Sequence, residues 1–210
     1  TESCYRDFRP SVQLASNLFE GRLAYPSNGL WDTHLAWMGI VNKETKPSQY
    51  VNCDYDSGGY KILRSTDATV IFRFPKFRYR PSQADAMHID LWVNGVNLLG
   101  DAGSYSYNST PDFSGYFNGT ASHNTVQFDG RDQMPKLGRF LFGNWLKTKK
   151  VLPIAVAGLV VSSSASYCDF RGAEHFRLVN VNNCRLTIFD KVKGFNEKAV
   201  IRWRLTDSEW

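Results

Sequence analysis

The run Ala86-Met87-His88-Ile89-Asp90-Leu91-Trp92-Val93-Asn94-Gly95-Val96-Asn97-Leu98-Leu99 decides the fold class. Met87, Ile89 and Leu91 alternate with His88, Asp90 and Trp92, the period of two with which a strand buries one face and leaves the other wet. Asn94-Gly95 then joins two apolar runs. Both residues accept the positive φ that a type I′ turn requires, so the run reads as an antiparallel hairpin. The same pattern recurs outward in both directions. Residues 59–64, 69–74, 86–93, 124–128, 139–146, 155–162, 175–181, 185–192 and 199–205 are rich in Val, Ile, Phe, Tyr and Trp and are separated by short polar breaks. Asn182-Asn183 reads as a second tight turn, and the apolar stretch 151–161, interrupted by Pro153 and Gly158, as buried strand. Successive strands without intervening helices predict a mainly β fold, antiparallel sheets stacked as a multi-stranded β-sandwich.

The first 45 residues read differently. Val12, Ala15, Leu18 and Phe19 fall on one helical face, as do Trp31, His34, Leu35 and Met38, with a turn around Pro26 and Gly29 between them. Two short helices are expected over residues 1–45, and the sandwich over 46–210. Both ends of the chain are read as cuts in a longer protein. The formal net charge of +5 is compatible with a polyanionic partner. Only Lys147, Lys149 and Lys150 form a tight basic run, and no zinc-finger spacing, basic helix or RNA-binding aromatic signature accompanies it, so nucleic acid is excluded as a partner. No apolar stretch reaches the ~20 residues of a membrane span. Cys4, Cys53, Cys168 and Cys184 include no C-x-x-C pair, which removes a zinc knuckle or a redox motif.

Polar chemistry is densest between Arg78 and Arg131. It comprises Arg80, Gln83-Ala84-Asp85, His88, Asp90, Asp101-Ala102-Gly103, Tyr105-Ser106-Tyr107-Asn108, and, after a loop bearing Gly and Tyr, Ser122-His123-Asn124-Thr125-Val126. His88 and Asp90 on one strand face point to a wet face or a cleft wall. Asn108-Ser109-Thr110 and Asn118-Gly119-Thr120 match the glycosylation triplet, which arises easily by chance and suits a loop in any case.

In their order, Gln83-Ala84-Asp85, the Asn94-Gly95 hairpin, Asp101-Ala102-Gly103, Tyr105-x-Tyr107 and His123-Asn124-Thr125-Val126 resemble the heparinase II/III-like family over roughly residues 58–192. That family's pattern is His-Ala-Asp, Asp-x-Gly with a Tyr close behind, and an Ala-His-Asn-Thr-Val-type segment. Arg64, His175-Phe176-Arg177 and Ile188-Phe189-Asp190 resemble family features more weakly. The resemblance implies an (α/α) toroid followed by antiparallel β-sheets, the first 45 residues being the tail of that toroid. It also implies β-elimination on acidic, uronic-acid polysaccharides and a periplasmic or secreted setting. Such chemistry needs a neutralised carboxylate, a base for the C5 proton and an acid for the leaving oxygen.

By the resemblance, His123, His88, Tyr107 and Tyr116 are the catalytic candidates, and Arg80, Gln83, Trp92, Asn108 and Asn124 the substrate contacts. The main base and neutraliser lie on the missing toroid, so the piece alone is expected to be inactive or nearly so. Relatives that hold zinc imply Gln83, Asp101 and His123 as ligands. Gln83 departs from the expected His, and its amide is a poor zinc ligand, so a hydrogen-bonded cluster tying the strands together is favoured over zinc. His123 is expected to point inward and pair with Asp101. Regular strand parity sets His88 on the opposite side from Gln83. The competing reading is a non-catalytic carbohydrate-binding or scaffolding module for acidic glycans.

Overall fold

The computed structural model describes residues 7–25, 29–41, 51–106, 108–139 and 141–206. The chain divides into two compact units, Thr1–Tyr50 and Val51–Trp210. The boundary expected between residues 45 and 46 lies outside the described residues.

In the first unit, helix α1 (Arg9–Glu20) starts with Pro10 in its first turn and ends at Gly21, whose φ of 65° closes the C-terminus onto Asn17 O. A 3-10 turn (Leu30–Asp32) leads into the short α2 (Thr33–Trp37). The two helices are present, but the inward face of α1 is not the expected apolar one. Val12, Leu18 and Phe19 are exposed, whereas Gln13 and Asn17 are buried. The cause is Gln13, whose amide donates to Asp32 Oδ1 (2.8 Å) and accepts the Tyr25 N–H (2.9 Å), so the helix turns its polar side to the following turn.

The second unit is mainly β, and every named strand pair in it is antiparallel. One sheet runs β1 (Cys53–Tyr55), β2 (Tyr60–Arg64), β3 (Ala68–Arg73), β4 (Ile89–Val93), β5 (Val96–Leu99) in spatial order. Next along the chain come helix α3 (Pro111–Asn118) and the short strands β6 (Val126–Phe128), β7 (Lys136–Gly138) and β8 (Leu141–Phe142). β9 (Lys147–Ala157), β10 (Val160–Cys168), β11 (Glu174–Asn182) and β12 (Arg185–Lys193) form the second large sheet, and β13 (Ala199–Ile201) pairs with β6. Leu63, Val70, Phe72 and Ile89 of the first sheet share one core with Val161, Ala165, Val179 and Val181 of the second. Fully burying each of the Val, Leu, Ile and Phe side chains is worth about 1.5–3 kcal/mol.

The hairpin that decided the fold forms as expected: Val93 pairs with Val96 across Asn94 (φ 49°) and Gly95 (φ 80°). Four other expectations are corrected. Residues 155–162 are not one strand but the tip of a hairpin, turning at Gly158 (φ 59°) between Ala157 and Val160. Leu152 and Val156 on its first arm are exposed rather than buried, and Pro153 is tolerated because β9 is an edge strand with a register shift opposite Ser162–Ser164. The second Asn turn is one residue later than read: Asn182 pairs with Arg185, so Asn183-Cys184 makes the turn. The loop after Asn108 contains α3, announced by Thr110 before Pro111, the arrangement that starts a helix.

Candidate functional site

The site begins with a fault in a strand. His88 N–H bonds Asp85 O (3.0 Å), closing a turn whose third residue, Met87, has φ 65°. Met87 N–H bonds Arg73 O (2.9 Å) and Arg73 N–H bonds His88 O (3.0 Å), so Arg73 faces two residues, a β-bulge with Met87 in the left-handed place that glycine normally takes. A non-glycine residue there costs of order 1–2 kcal/mol. Local hydrogen bonds hold it. Ala86 N–H donates to Gln133 Oε1 (2.9 Å), while Ala86 O accepts from Gln133 Nε2 (2.9 Å) and Thr125 Oγ1 (2.6 Å). The break ends strand parity between Gln83 and His88, and both side chains line one cavity of about 260 Å³ with Tyr60, Arg73, Asp90 and Asp101. The expectation that His88 lies across from Gln83 is therefore corrected.

Three segments converge on this cavity. His88 comes from the bulge before β4, Asp101 from the chain just after β5, and His123 from the end of a 3-10 turn, Thr120–Ser122. His123 is fully buried, and its Nδ1 lies 2.6 Å from Asp101 Oδ2. His88 Nε2 is 3.6 Å from the same oxygen and 3.5 Å from Asp90 Oδ1, and the two imidazoles meet edge to face at 5.5 Å. Burial pushes the Asp101 carboxyl up. The bond and charge of His123, the charge of His88 and the Gly103 N–H outweigh that and hold it below the ordinary carboxylate range. The pairing of His123 with Asp101 is the one the sequence reading expects. Gln83 is not part of it: its amide donates to Ser104 Oγ at 3.2 Å.

Asn124, expected to contact a glycan, is fully buried and does internal work instead. Its amide donates to Ile89 O (2.8 Å) and Gly100 O (3.2 Å), its side-chain oxygen accepts the Arg204 N–H (2.5 Å), and its own N–H donates to His88 Nδ1 (3.0 Å). A backbone N–H can only donate, so His88 Nδ1 is bare and the ring proton sits on Nε2. Arg80 and Asn108 are exposed. Trp92 lies on the outer face of β4 at 42% exposure, and Tyr116 on α3 at 46%, its hydroxyl receiving a bond from Arg204 Nη1 (3.0 Å). Tyr107 lies outside the described residues. Two groups of the cavity were missed from sequence. Arg73 is ion-paired with Asp85 (2.6 Å) and lies 4.7 Å over the Tyr60 ring. Burial pushes the Tyr60 phenol up, only partly opposed by the Arg73 charge, which leaves it poorly suited as a base.

Among the described residues, His88, Asp101 and His123 bring ligand atoms within 4.8 Å of one another, and two imidazoles with a carboxylate are donor types that zinc accepts. This raises the count of donors from the two expected to three, but the protons and spacing do not fit the ion. A zinc-bound imidazole offers a bare nitrogen and donates its other N–H; His88 does the reverse, keeping its proton on the nitrogen turned toward Asp101. Two donors about 2.0 Å from a tetrahedral ion stand about 3.3 Å apart, whereas His123 Nδ1 and Asp101 Oδ2 stand at 2.6 Å, the length of a charge-assisted hydrogen bond. As folded, His123 and Asp101 form a hydrogen-bonded pair, and His88 Nε2 lies beside it, 3.6 Å from the same carboxylate oxygen, without a hydrogen-bond partner among the described residues. Elemental analysis after dialysis should accordingly find zinc well below one per chain. Gln83→His, which adds an imidazole to the same cavity, should raise zinc affinity at least about tenfold, the scale of one good ligand interaction. Near-stoichiometric zinc in the unmodified chain would show that His88 gives up the Asn124 bond to the metal.

The profile of the family described as heparinase II/III-like, C-terminal, matches residues 53–209. A heparin-sulfate lyase of Bacteroides stercoris is 24% identical over 95% of this chain and 29% of its own length. A solved heparinase III structure superposes with a TM-score of 0.67 at 19% identity, covering 97% of this chain and 30% of that one. The heparan sulfate lyase HepC of Pedobacter heparinus gives a TM-score of 0.63 at 16% identity, over 95% of this chain and 30% of that one. At these identities the structural likeness concerns the fold. The chain spans about 30% of the length of these relatives.

Proposed function

The chain belongs to the heparinase II/III-like, C-terminal family, and from that premise we propose that it is the β portion of a lyase that cleaves uronic-acid glycans of the heparan sulfate type by β-elimination. The observation that carries this reading is the convergence of His88, Asp101 and His123 at a polar cavity lined also by Gln83, Arg73 and Tyr60. Of these positions, Gln83, Asp101 and His123 belong to the ordered motifs that resemble the family.

Within this reading the chain forms a wall of the cleft and does not supply the base. β-Elimination needs a bare, accessible group to take the C5 proton. His123 is fully buried, His88 is 5% exposed with its proton on Nε2, and the Tyr60 phenol is pushed up by burial. Tyr116, half open and held by Arg204, is the candidate in the chain best disposed to touch a sugar. Its Oη can steady a substrate oxygen while the C5 base comes from the remainder of the polypeptide, the (α/α) toroid. Arg80, exposed and three residues before Gln83 in the chain, offers a fork that suits a carboxylate or sulfate.

A titration tests this. Heparan sulfate oligosaccharides added to the ¹⁵N-labelled chain should shift the Gln83 side-chain amide and the Trp92 indole N–H, and the shifts should weaken as salt is raised. Arg80→Ala and Tyr116→Ala should each weaken binding about 3- to 30-fold, the scale of one lost charge-assisted contact. Equal shifts with a neutral dextran oligosaccharide would remove the acidic-glycan reading.

A further inference from the structure

We propose that Arg177, anchored by Asp190, is the positioning residue that holds both histidines of the site in register. The proposal rests on taking the His88–Asp101–His123 cluster as the functional site, and is independent of which glycan the site meets.

On β11 the residues His175, Arg177, Val179 and Val181 all turn inward, and Arg177 is fully buried. Its Nε and Nη2 donate to the two carboxylate oxygens of Asp190 on β12 at 2.7 and 2.9 Å. That bidentate grip leaves Nη1 aimed across the core, where it donates to two carbonyls, Met87 O at 2.5 Å and Asn124 O at 2.8 Å. The guanidinium lies 5.1 Å over the Trp203 ring, and His175 Nε2 holds Asp190 Oδ1 from the other side at 2.7 Å.

The two carbonyls are not arbitrary. Met87 O belongs to the peptide that leads into His88, from a residue kept in the left-handed region (φ 65°). Such a conformation persists only where the surroundings over-determine it. Gln133 and Thr125 clamp the peptide groups of Ala86; Arg177 fixes the next carbonyl. Asn124 O belongs to the residue that follows His123 and whose N–H sets the tautomer of His88. One guanidinium therefore ties the two histidine-bearing segments together at the point where they exchange a hydrogen bond. A lysine at this position keeps the charge but has no planar fork, and cannot hold Asp190 and both carbonyls at once.

Imidazole nitrogen resonances of the ¹⁵N-labelled chain provide a readout that a purely structural role does not move. In the unmodified chain His88 should show one tautomer, protonated at Nε2. Arg177→Lys should release the Asn124 N–H from Nδ1 and convert that pattern to exchange between both tautomers. Asp190→Asn, which keeps the volume and loosens the anchor, should do so to a lesser degree and serves where Arg177→Lys does not fold. Val179→Ala, two residues along the same buried face, should lower the melting temperature and leave the His88 pattern as it is. The proposal is overturned if His88 keeps its single tautomer in the folded Arg177→Lys chain, or in Asp190→Asn where the former does not fold, or if Val179→Ala disturbs it equally. None of these signals depends on added glycan, so this inference and the glycan reading fail separately.

Discussion

Asp190→Ala is expected to cost the second unit about 3–5 kcal/mol of folding stability, the range for removing one partner of a buried ion pair. The carboxylate is 16% exposed, and it receives both donors of the Arg177 fork and the His175 Nε2–H. Burial pushes its carboxyl up, but the bonds from His175 and Arg177 win and bring it from 3.8 down to about 2. The sign follows from the depression. Asp190 stabilises the fold fully above the ordinary carboxylate range, and that contribution is lost as pH falls through its folded value of about 2. A depression of that size corresponds to about 2 kcal/mol; the remainder of the expected loss is the cost of leaving Arg177 charged, buried and without its anchor. Urea unfolding followed by Trp fluorescence at neutral pH measures the loss, and repeating it down to acid pH should show the gap between the two proteins narrowing. A difference below about 1 kcal/mol would mean that the pair behaves as a solvated surface pair.

The parts of the fold legible in the sequence are those where local chemistry leaves one choice. Asn94-Gly95 supplies two residues that tolerate positive φ, and the apolar alternation on either side makes a hairpin of them. The parts that were not legible involve competition. Residues 151–161 look like a continuous apolar core strand, yet Gly158-Leu159 turns them back, and Val160–Cys168 carries four serines in its strand, of which Ser163 places its Oγ on Leu152 O at 2.8 Å. Propensity undervalues such a strand because its support is tertiary.

The site shows the same division. The motif order pointed to Asp101 and His123, and they pair. His88 joins them only because Met87 adopts a conformation usually reserved for glycine, which parity counting along a regular strand has no means to foresee. Asn124 sits inside the best motif and reads as a polar contact, but burial diverts it to holding backbone. Arg177 was visible in part. The alternation of β11 places it on the inward face with Val179 and Val181, and a buried arginine requires a carboxylate partner, which Asp190 supplies.

The second large effect concerns catalysis. If the base for the C5 proton lies outside this chain, its absence removes the ~10²–10⁴-fold that general acid–base catalysis typically supplies, and the loss of substrate orientation by the other wall of the cleft removes more. Residual help from Tyr116 or Arg80 does not substitute for an abstracted proton, because stabilising charge on the sugar carboxylate is of no use until a base acts. The effect should therefore be close to complete, and adding imidazole buffer as a free base should not restore it, since a base in solution lacks the effective concentration of a positioned one.

Ultraviolet absorbance of the unsaturated product decides whether the base lies outside this chain, when the chain is incubated with heparan sulfate beside a longer polypeptide that carries it together with an (α/α) toroid. Product is expected from the longer polypeptide and none above the buffer control from the 210-residue chain. Robust product release by the chain alone would contradict this, by showing that a competent base lies among its own residues.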